Sequence, residues 1–338
     1  MTGRWSRWLM SFLPVRAEGP GARLTIIRHH RVYGDGERPL LRLGVSARVL
    51  EAQLRWLASI GLAPVTVSEG LAWLSERGRG RRVAMTFDDG YADNVHAALP
   101  LLRAHGARAT FYLTSGLMER REPAWWDVLA HALSHSARPG VTWTDARGVA
   151  MRLELGTRAG RSAALRRLVP LMRARPADRT MLLDRLRAAA GVDAPAPCEF
   201  ATWSEAARLA EDGMEIGAHT LVHPHLSLLT PAEQELEIAG SVALIRERLG
   251  LAPGGLAYPG GDYDAASIAA VKSAGLAHAV TTRAGDVRPG ADPWTLVRRG
   301  LSEGACLGPT GTFSRRLAGA ELAGAFDRLR GVATEAAA

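Results

Sequence analysis

The sequence predicts an α/β protein built on parallel strands, as an open sheet or a barrel. Short apolar runs with strand periodicity alternate with helical stretches along most of the chain. Helix start and stop signals punctuate that rhythm, as where Thr230-Pro231-Ala232-Glu233 precedes Ile238, Val242, Ile245 and Leu249, and Gly250 follows. The residues that can do chemistry, Asp88-Asp89 and His219…His223, each follow a strand-like run, the position active-site residues take on a β/α barrel.

Leu24-Thr25-Ile26-Ile27 reads as the first buried strand, ending at Arg28-His29-His30-Arg31-Val32. Glycines and Pro39 mark a loop to Leu43. Ser46 is the expected N-cap of a helix whose Leu50, Leu54 and Leu57 share a face, closed by Gly61. Val65-Thr66-Val67 reads as a short strand, with Ser68 capping a helix through Leu74. In Val83-Ala84-Met85-Thr86-Phe87, the period-2 alternation of Val83, Met85 and Phe87 marks a strand. The next helix runs to about His105, with its start left open by Pro100, and Gly106 ends it. Ala109 to Leu113 is the following strand.

Residues 118–200 interrupt the rhythm. Trp125-Trp126-Asp127 opens a helix through Leu133. Leu165, Leu168 and Met172, then Met181, Leu182 and Leu186, predict two amphipathic helices rich in arginine. This segment is expected as an α-helical insertion, its arginine face either solvated or turned to an anionic ligand. Ala194-Pro195-Ala196-Pro197 is the exit linker. The rhythm resumes at Trp203, and Met214 to Ala218 forms the histidine strand. Leu256-Ala257-Tyr258 is a strand, and Asp264 caps the next helix. Leu276 to Thr281 and Leu296 to Arg299 supply the last strands, and a final helix is expected from Phe313 to Leu329. The domain reading is an N-terminal segment at 1–22, a barrel at 23–302 and a helical tail at 303–338.

A chain of 338 residues with 47% hydrophobic content can bury a sizeable core. The net charge is +8, and Lys272 is its one lysine. A basic surface suits nucleic acid, anionic lipid or acidic glycan. No zinc knuckle, helix-turn-helix or aromatic-basic RNA motif occurs, so nucleic acid is not expected as a partner. Cys198 and Cys306 cannot build a disulfide framework. No apolar run reaches the roughly 18 residues of a membrane span. Trp8 to Val15 is short for a signal core, and Pro14 and Arg16 interrupt it, so the expected location is cytoplasmic. Trp5, Trp8, Leu9 and Phe12 fall at helical spacing with Arg4 and Arg7 off that face. That pattern fits a helix lying on an anionic membrane, or one packed on the domain.

Adjacent carboxylates are costly unless a cation or a proton separates their roles. Asp88 and Asp89 therefore either divide a metal and a proton between them or form a solvated Asp-Gly turn. His219 and His223 face the same way if their segment takes a helical turn. With one carboxylate they make a two-histidine site with open positions, suited to zinc or a similar divalent ion.

Thr86 to Tyr91 and His219 to His223, followed by Pro224-His225-Leu226, resemble the NodB-homology polysaccharide deacetylases, carbohydrate esterase family 4. Ala257-Tyr258-Pro259-Gly260-Gly261-Asp262-Tyr263 resembles the tyrosine-proline-glycine motif of one branch. The likeness runs from about Leu24 to Ser302. It implies a distorted, TIM-like β/α barrel of seven strands. It also implies metal-dependent removal of N-acetyl groups from amino sugars of a glycan or glycolipid. By that resemblance Asp88 matches the base, and Asp89, His219 and His223 match the metal triad, with Zn2+ the expected ion. Tyr91, Tyr258, Pro259 and Arg298 are the candidate substrate-binding residues, although Tyr258 could equally be a core aromatic. His225 is expected outside the ligand set.

Two departures stand out. Ala257 occupies the place of an arginine that orients the catalytic aspartate in the main branch. Arg298 is its candidate replacement, with a surface arginine the alternative. The main branch also has a late histidine as general acid, which nothing after His278 matches. A branch with an early histidine supplies that group from the first strand, and His30 fits its place. Two other readings fit the sequence: an amidohydrolase such as a deformylase on a lipid-linked sugar, and a carbohydrate-binding homologue without catalysis.

Overall fold

The structure, a computed structural model, describes Trp8, Ser11 and residues 21–76 and 78–327. The chain divides into two compact units, one of Met1–Gly36, Leu43–Glu119 and Ala201–Ala338, the other of Glu37–Arg42 and Arg120–Phe200.

The first unit is organised on seven parallel strands: β1 (Arg23–His29), β2 (Arg81–Phe87), β3 (Thr110–Leu113), β4 (Glu215–Ala218), β5 (Gly255–Ala257), β6 (His278–Val280) and β7 (Arg299–Gly300). Their spatial order is β6-β5-β4-β3-β2-β1-β7. The sheet curls until one segment serves both edges. Leu296 bridges Val280 in parallel, while Arg299 pairs with Ile27. This is the seven-stranded distorted barrel the resemblance implied. Leu24, Ile26, Ala84, Tyr112, Ala257 and Val280 form its inner apolar cluster, all fully buried. Strands buried this completely read as short apolar runs, which is why the sequence marks them.

Helices cover the sheet. Ala47–Ser59 buries Leu50, Leu54 and Leu57 as expected. Ser46 is its N-cap residue, but the Ser46 hydroxyl bonds Glu303 instead of the helix. Val65 makes a single bridge to Ala84 rather than a strand. The helix Val67–Ser75 is capped by Thr66, in a capping box with Glu69, and not by Ser68. After β2, a π-helical turn Asn94–Ala98 leads into the helix Leu99–Ala104, with Pro100 in its first turn where a missing N–H costs nothing. Thr230 and Asp264 cap Pro231–Leu249 and Ala265–Ser273, both with capping boxes. The last helix is Arg315–Leu322, shorter than expected, and Leu329 lies outside the described residues.

Of the N-terminal apolar stripe, Trp5, Leu9 and Phe12 also lie outside the described residues. Trp8 packs against Leu317, Ala320 and Phe326 of the domain. No described helix is long and apolar enough to cross a membrane.

The second unit has the two arginine-rich helices, Arg158–Arg173 and Arg179–Ala190, and the helix Trp125–His135. It also contains an antiparallel hairpin, Gly140–Thr144 against Ala150–Glu154, so it is not purely helical. Val141 and Trp143 face inward with Leu153, joining Leu129, Leu133, Leu168, Met172 and Leu186 in one core. Each such leucine, removed from water, stabilises by about 1.5–3 kcal/mol. Not all of the arginines are solvated. Arg161 donates to the carbonyls of Leu155, Ser134 and Ser136, and the Arg179 guanidinium lies 4.8 Å from the Trp125 ring centre.

Candidate metal and amide-hydrolysis site

Asp88 follows β2, and its N–H bonds the carbonyl of His29 at 3.0 Å, at the end of β1. Asp89 and Gly90 then turn into the left-handed region, at φ 77° and 84°. That reversal aims both carboxylates at the same mouth of the barrel. Left-handed backbone costs a non-glycine residue about 1–3 kcal/mol and marks sites where geometry is functional. Among the described residues, positive φ at a non-glycine occurs at Asp89, Thr220, His223 and Arg121, and three of these four belong to this site.

His219 leaves β4 with its N–H bonded to Leu113 at 2.9 Å. The stretch to His223 is a loop, not the helical turn that its spacing suggested. Thr220 and His223 adopt φ of 63° and 57°, and this double reversal brings the imidazoles together with ring centres 4.7 Å apart. The loop is held from outside. Glu237 accepts the N–H groups of Leu221 and Val222 at 2.9 and 3.1 Å, and Thr220 Oγ1 accepts that of His223 at 3.0 Å. Leu221 also presses on Gly116, where a Cβ would stand 2.7 Å from the Leu221 carbonyl oxygen.

Asp89 Oδ1 lies 3.4 Å from His219 Nε2 and 3.6 Å from His223 Nε2. The three ligand atoms fall within 4.8 Å of one another, as a single ion requires. His219 Nδ1 bonds the carbonyl of Ala257 at 2.6 Å, which fixes the tautomer and leaves Nε2 facing the cluster. Asp89 Oδ1 is buried without a hydrogen-bond partner. A buried carboxylate oxygen left bare beside two imidazoles is what a divalent cation would satisfy, so the donor set fits one. Burial, then the neighbouring His219, takes His223 down to about 3, which keeps its imidazole neutral as a ligand must be. Burial opposes charge on Asp89, yet the neighbouring imidazoles, His219 foremost, hold its carboxyl below the ordinary range. His225 stands apart, its Nδ1 3.9 Å from Asp262.

Asp88 has a different environment. Arg298 donates from Nη1 to Oδ1 at 2.7 Å and from Nη2 to Oδ2 at 2.8 Å. The same guanidinium bonds Thr86 Oγ1 at 3.0 Å and the Thr281 carbonyl at 2.8 Å. Asp88 is 2% exposed and Arg298 1%. Burial alone would raise the Asp88 pKa, but the charge and hydrogen bonds of Arg298 overcome it and hold the carboxyl well below the carboxylate range. Arg298 is thus no surface residue, and its contact is with Asp88 rather than with a groove.

His30 Nε2 is 3.9 Å from Asp88 Oδ2, and its side chain is 25% exposed. His29 points the other way, buried against Phe87, and burial takes its imidazole down to about 3. Tyr91, Tyr258 and Pro259 are all buried. Tyr91 lies under the Arg31 guanidinium at 4.4 Å, and Tyr258 stacks on Tyr263 at 4.9 Å. None of the three offers an open side chain. Two residues at the site carry no motif signal. Glu237 sits on a helix face that looks solvated in sequence. Arg28 projects from β1 opposite Thr86, two residues before Asp88.

The family model described as polysaccharide deacetylase matches residues 75–279. The protein YxkH of Bacillus subtilis (strain 168) is 22% identical over 292 residues, covering 86% of this chain and 75% of the relative. Among solved structures, the Streptococcus pyogenes deacetylase PplD in complex with acetate superposes with a TM-score of 0.56 at 18% identity, covering 84% of this chain and 94% of that one. IcaB from Ammonifex degensii gives 0.53 at 20% identity, covering 83% and 91%. At these identities the structural likeness speaks for the fold alone.

Proposed function

This chain belongs to the polysaccharide deacetylase family, and from that premise we propose that it removes N-acetyl groups from amino sugars of a glycan or glycolipid by metal-dependent hydrolysis. The observation that carries the reading is the pairing of two unlike carboxylates. Asp88 is clamped by an arginine, and its neighbour Asp89 faces two imidazoles. Asp89, His219 and His223 would hold a divalent ion such as Zn2+, which would supply Lewis-acid polarisation of the amide carbonyl and of the attacking water.

Asp88 is the base. Arg298 takes one lone pair on each oxygen and leaves the others open, since an ionised carboxylate offers about four acceptor sites. The clamp keeps Asp88 ionised and fixed, so it meets the water proton without first paying for orientation. His30 is the general acid that protonates the leaving amine. Burial, with Arg28 and Arg298 acting in the same direction, holds its imidazole below the ordinary histidine value, and Asp89 and Asp88 oppose them. The imidazole is therefore neutral before the reaction, and the proton it gives to the amine is first taken over from Asp88. The proton accepted by Asp88 lies one short rearrangement from His30 Nε2, 3.9 Å away. Tyr91, Tyr258 and Pro259 act from beneath, shaping the groove without touching the sugar.

The direct test is acetate release from a chitooligosaccharide by the purified protein with Zn2+ added, and its loss on chelation. Release that ignores the chelator would sink the metal-dependent reading. His219→Ala and His223→Ala are each expected to abolish metal retention measured by atomic absorption, whereas His225→Ala retains it. Loss confined to His225→Ala would reassign the ligands.

A second test isolates His30. Expelling an amine needs a proton, whereas the leaving group of an activated acetate ester does not. His30→Ala should lower amide turnover by about 10²-fold or more with metal intact and leave the ester largely spared. His29→Ala, altering a residue that faces away, should show no such selectivity. Equal loss on both substrates would remove His30 from the acid role.

A further inference from the structure

Three arginines of the barrel unit sit on carboxylates: Arg298 on Asp88, Arg81 on Asp286, and Arg299 on Asp286 and Asp327. Arg28 does not. It projects from β1 opposite Thr86 on β2 and Gly300 on β7, the row that ends at Asp88. Arg298, Asp88 and Asp89 are the charges that act on it. Among the described residues its guanidinium makes no hydrogen bond and no ion pair. Neither neighbouring carboxylate is free to turn to it. Arg298 fixes Asp88 in place through one bond to each oxygen, and Asp89 faces His219 and His223. A half-buried cation with no carboxylate paired to it is costly, more so beside a second arginine.

Space for a counterion lies next to it. Gly300 is exposed, and a Cβ built there would meet nothing nearer than Arg28 Nη2 at 3.9 Å. A side chain at that register position would fill the gap over the guanidinium; the glycine leaves it open. A guanidinium fork in such a notch matches the two oxygens of a carboxylate or phosphate.

We propose that Arg28 binds an anionic group, carboxylate or phosphate, borne by the amino sugar whose amide Asp88 addresses, so that the preferred substrate is an acidic glycan or glycolipid. This specificity rests on the deacetylase reading and is tested separately from it. The full chain with Zn2+ added is titrated calorimetrically with three methyl glycosides: N-acetylglucosamine, its 6-phosphate, and 2-acetamido-2-deoxyglucuronate. Acetate release is followed in parallel. One acidic probe is expected to bind about ten-fold or more tighter than the neutral one, the scale of a charge-assisted hydrogen-bonded pair. Which probe it is separates phosphate from carboxylate. Arg28→Met should erase that advantage. Gly300→Asp, which gives Arg28 an internal counterion and keeps its charge, should erase it too.

Equal affinities in the wild type would overturn the proposal, as would a preference that survives both variants. Acetate release without any preference leaves the deacetylase reading standing and removes Arg28. An Arg28-dependent preference without acetate release does the reverse.

Discussion

Asp88→Asn should keep its metal and lose amide turnover by about 10²–10⁴-fold, the range that positioned proton transfer contributes. The expectation follows from the division of labour between neighbours. Asp88 is not among the three ligands, so its substitution leaves Asp89, His219 and His223 in place. The amide is nearly isosteric but accepts no proton from water. Its Oδ1 can still bond one nitrogen of Arg298, while its NH₂ faces the other donor, so the clamp is weakened as well. Asp89→Asn should fail differently, by losing metal first. Metal content and turnover measured on both variants form the comparison. An Asp88→Asn protein with a tenth or more of wild-type activity would not have lost its base.

Much of this site can be read in the chain, and its physical origin explains which part. The parallel strands announce themselves because both faces are buried, so Leu24–Ile27 and Val83–Phe87 become compact apolar runs. Asp88, Asp89, His219 and His223 are recognisable because metal chemistry restricts both their types and their local spacing. The conformation between the histidines is not, since Thr220 and His223 adopt left-handed backbone with no glycine to signal it. Long-range pairing leaves no local trace either. Arg298 meets Asp88 across 210 positions, and nothing near Arg298 distinguishes it from a surface arginine. Glu237 caps the histidine loop from a helix whose exposed face carries other acids. The hairpin in the second unit is a different matter. Val141 and Trp143 alternate with polar residues, as do Met151 and Leu153, and Asp145 to Gly148 is a turn, yet each strand is only five residues long and the flanking segments carry stronger helical periodicity.

Arg298→Met should destabilise the protein at neutral pH by about 3–5 kcal/mol, the cost of leaving one member of a buried ion pair alone. Asp88, 2% exposed, would keep a charge without the guanidinium that clamps both its oxygens. The pH dependence gives the prediction its sign. In the wild type the Asp88 pKa is depressed in the folded state, so its contribution is fully present above the ordinary carboxylate value of about 3.9 and is lost as pH falls through the folded value. Without Arg298 the largest influence left on Asp88 is burial, which raises its pKa above the unfolded value. The variant is then penalised at neutral pH and relieved on acidification, as Asp88 takes up a proton. The stability gap between wild type and Arg298→Met should therefore narrow as pH falls from 7 toward about 4. Urea denaturation across that range measures it, and a gap that stays constant would show that lost packing, not the stranded charge, is the cause. The double variant Asp88→Asn/Arg298→Met removes both charges together and should recover most of the stability while recovering none of the turnover. Recovery of activity in the double variant would mean that the clamped carboxylate is not what the reaction uses.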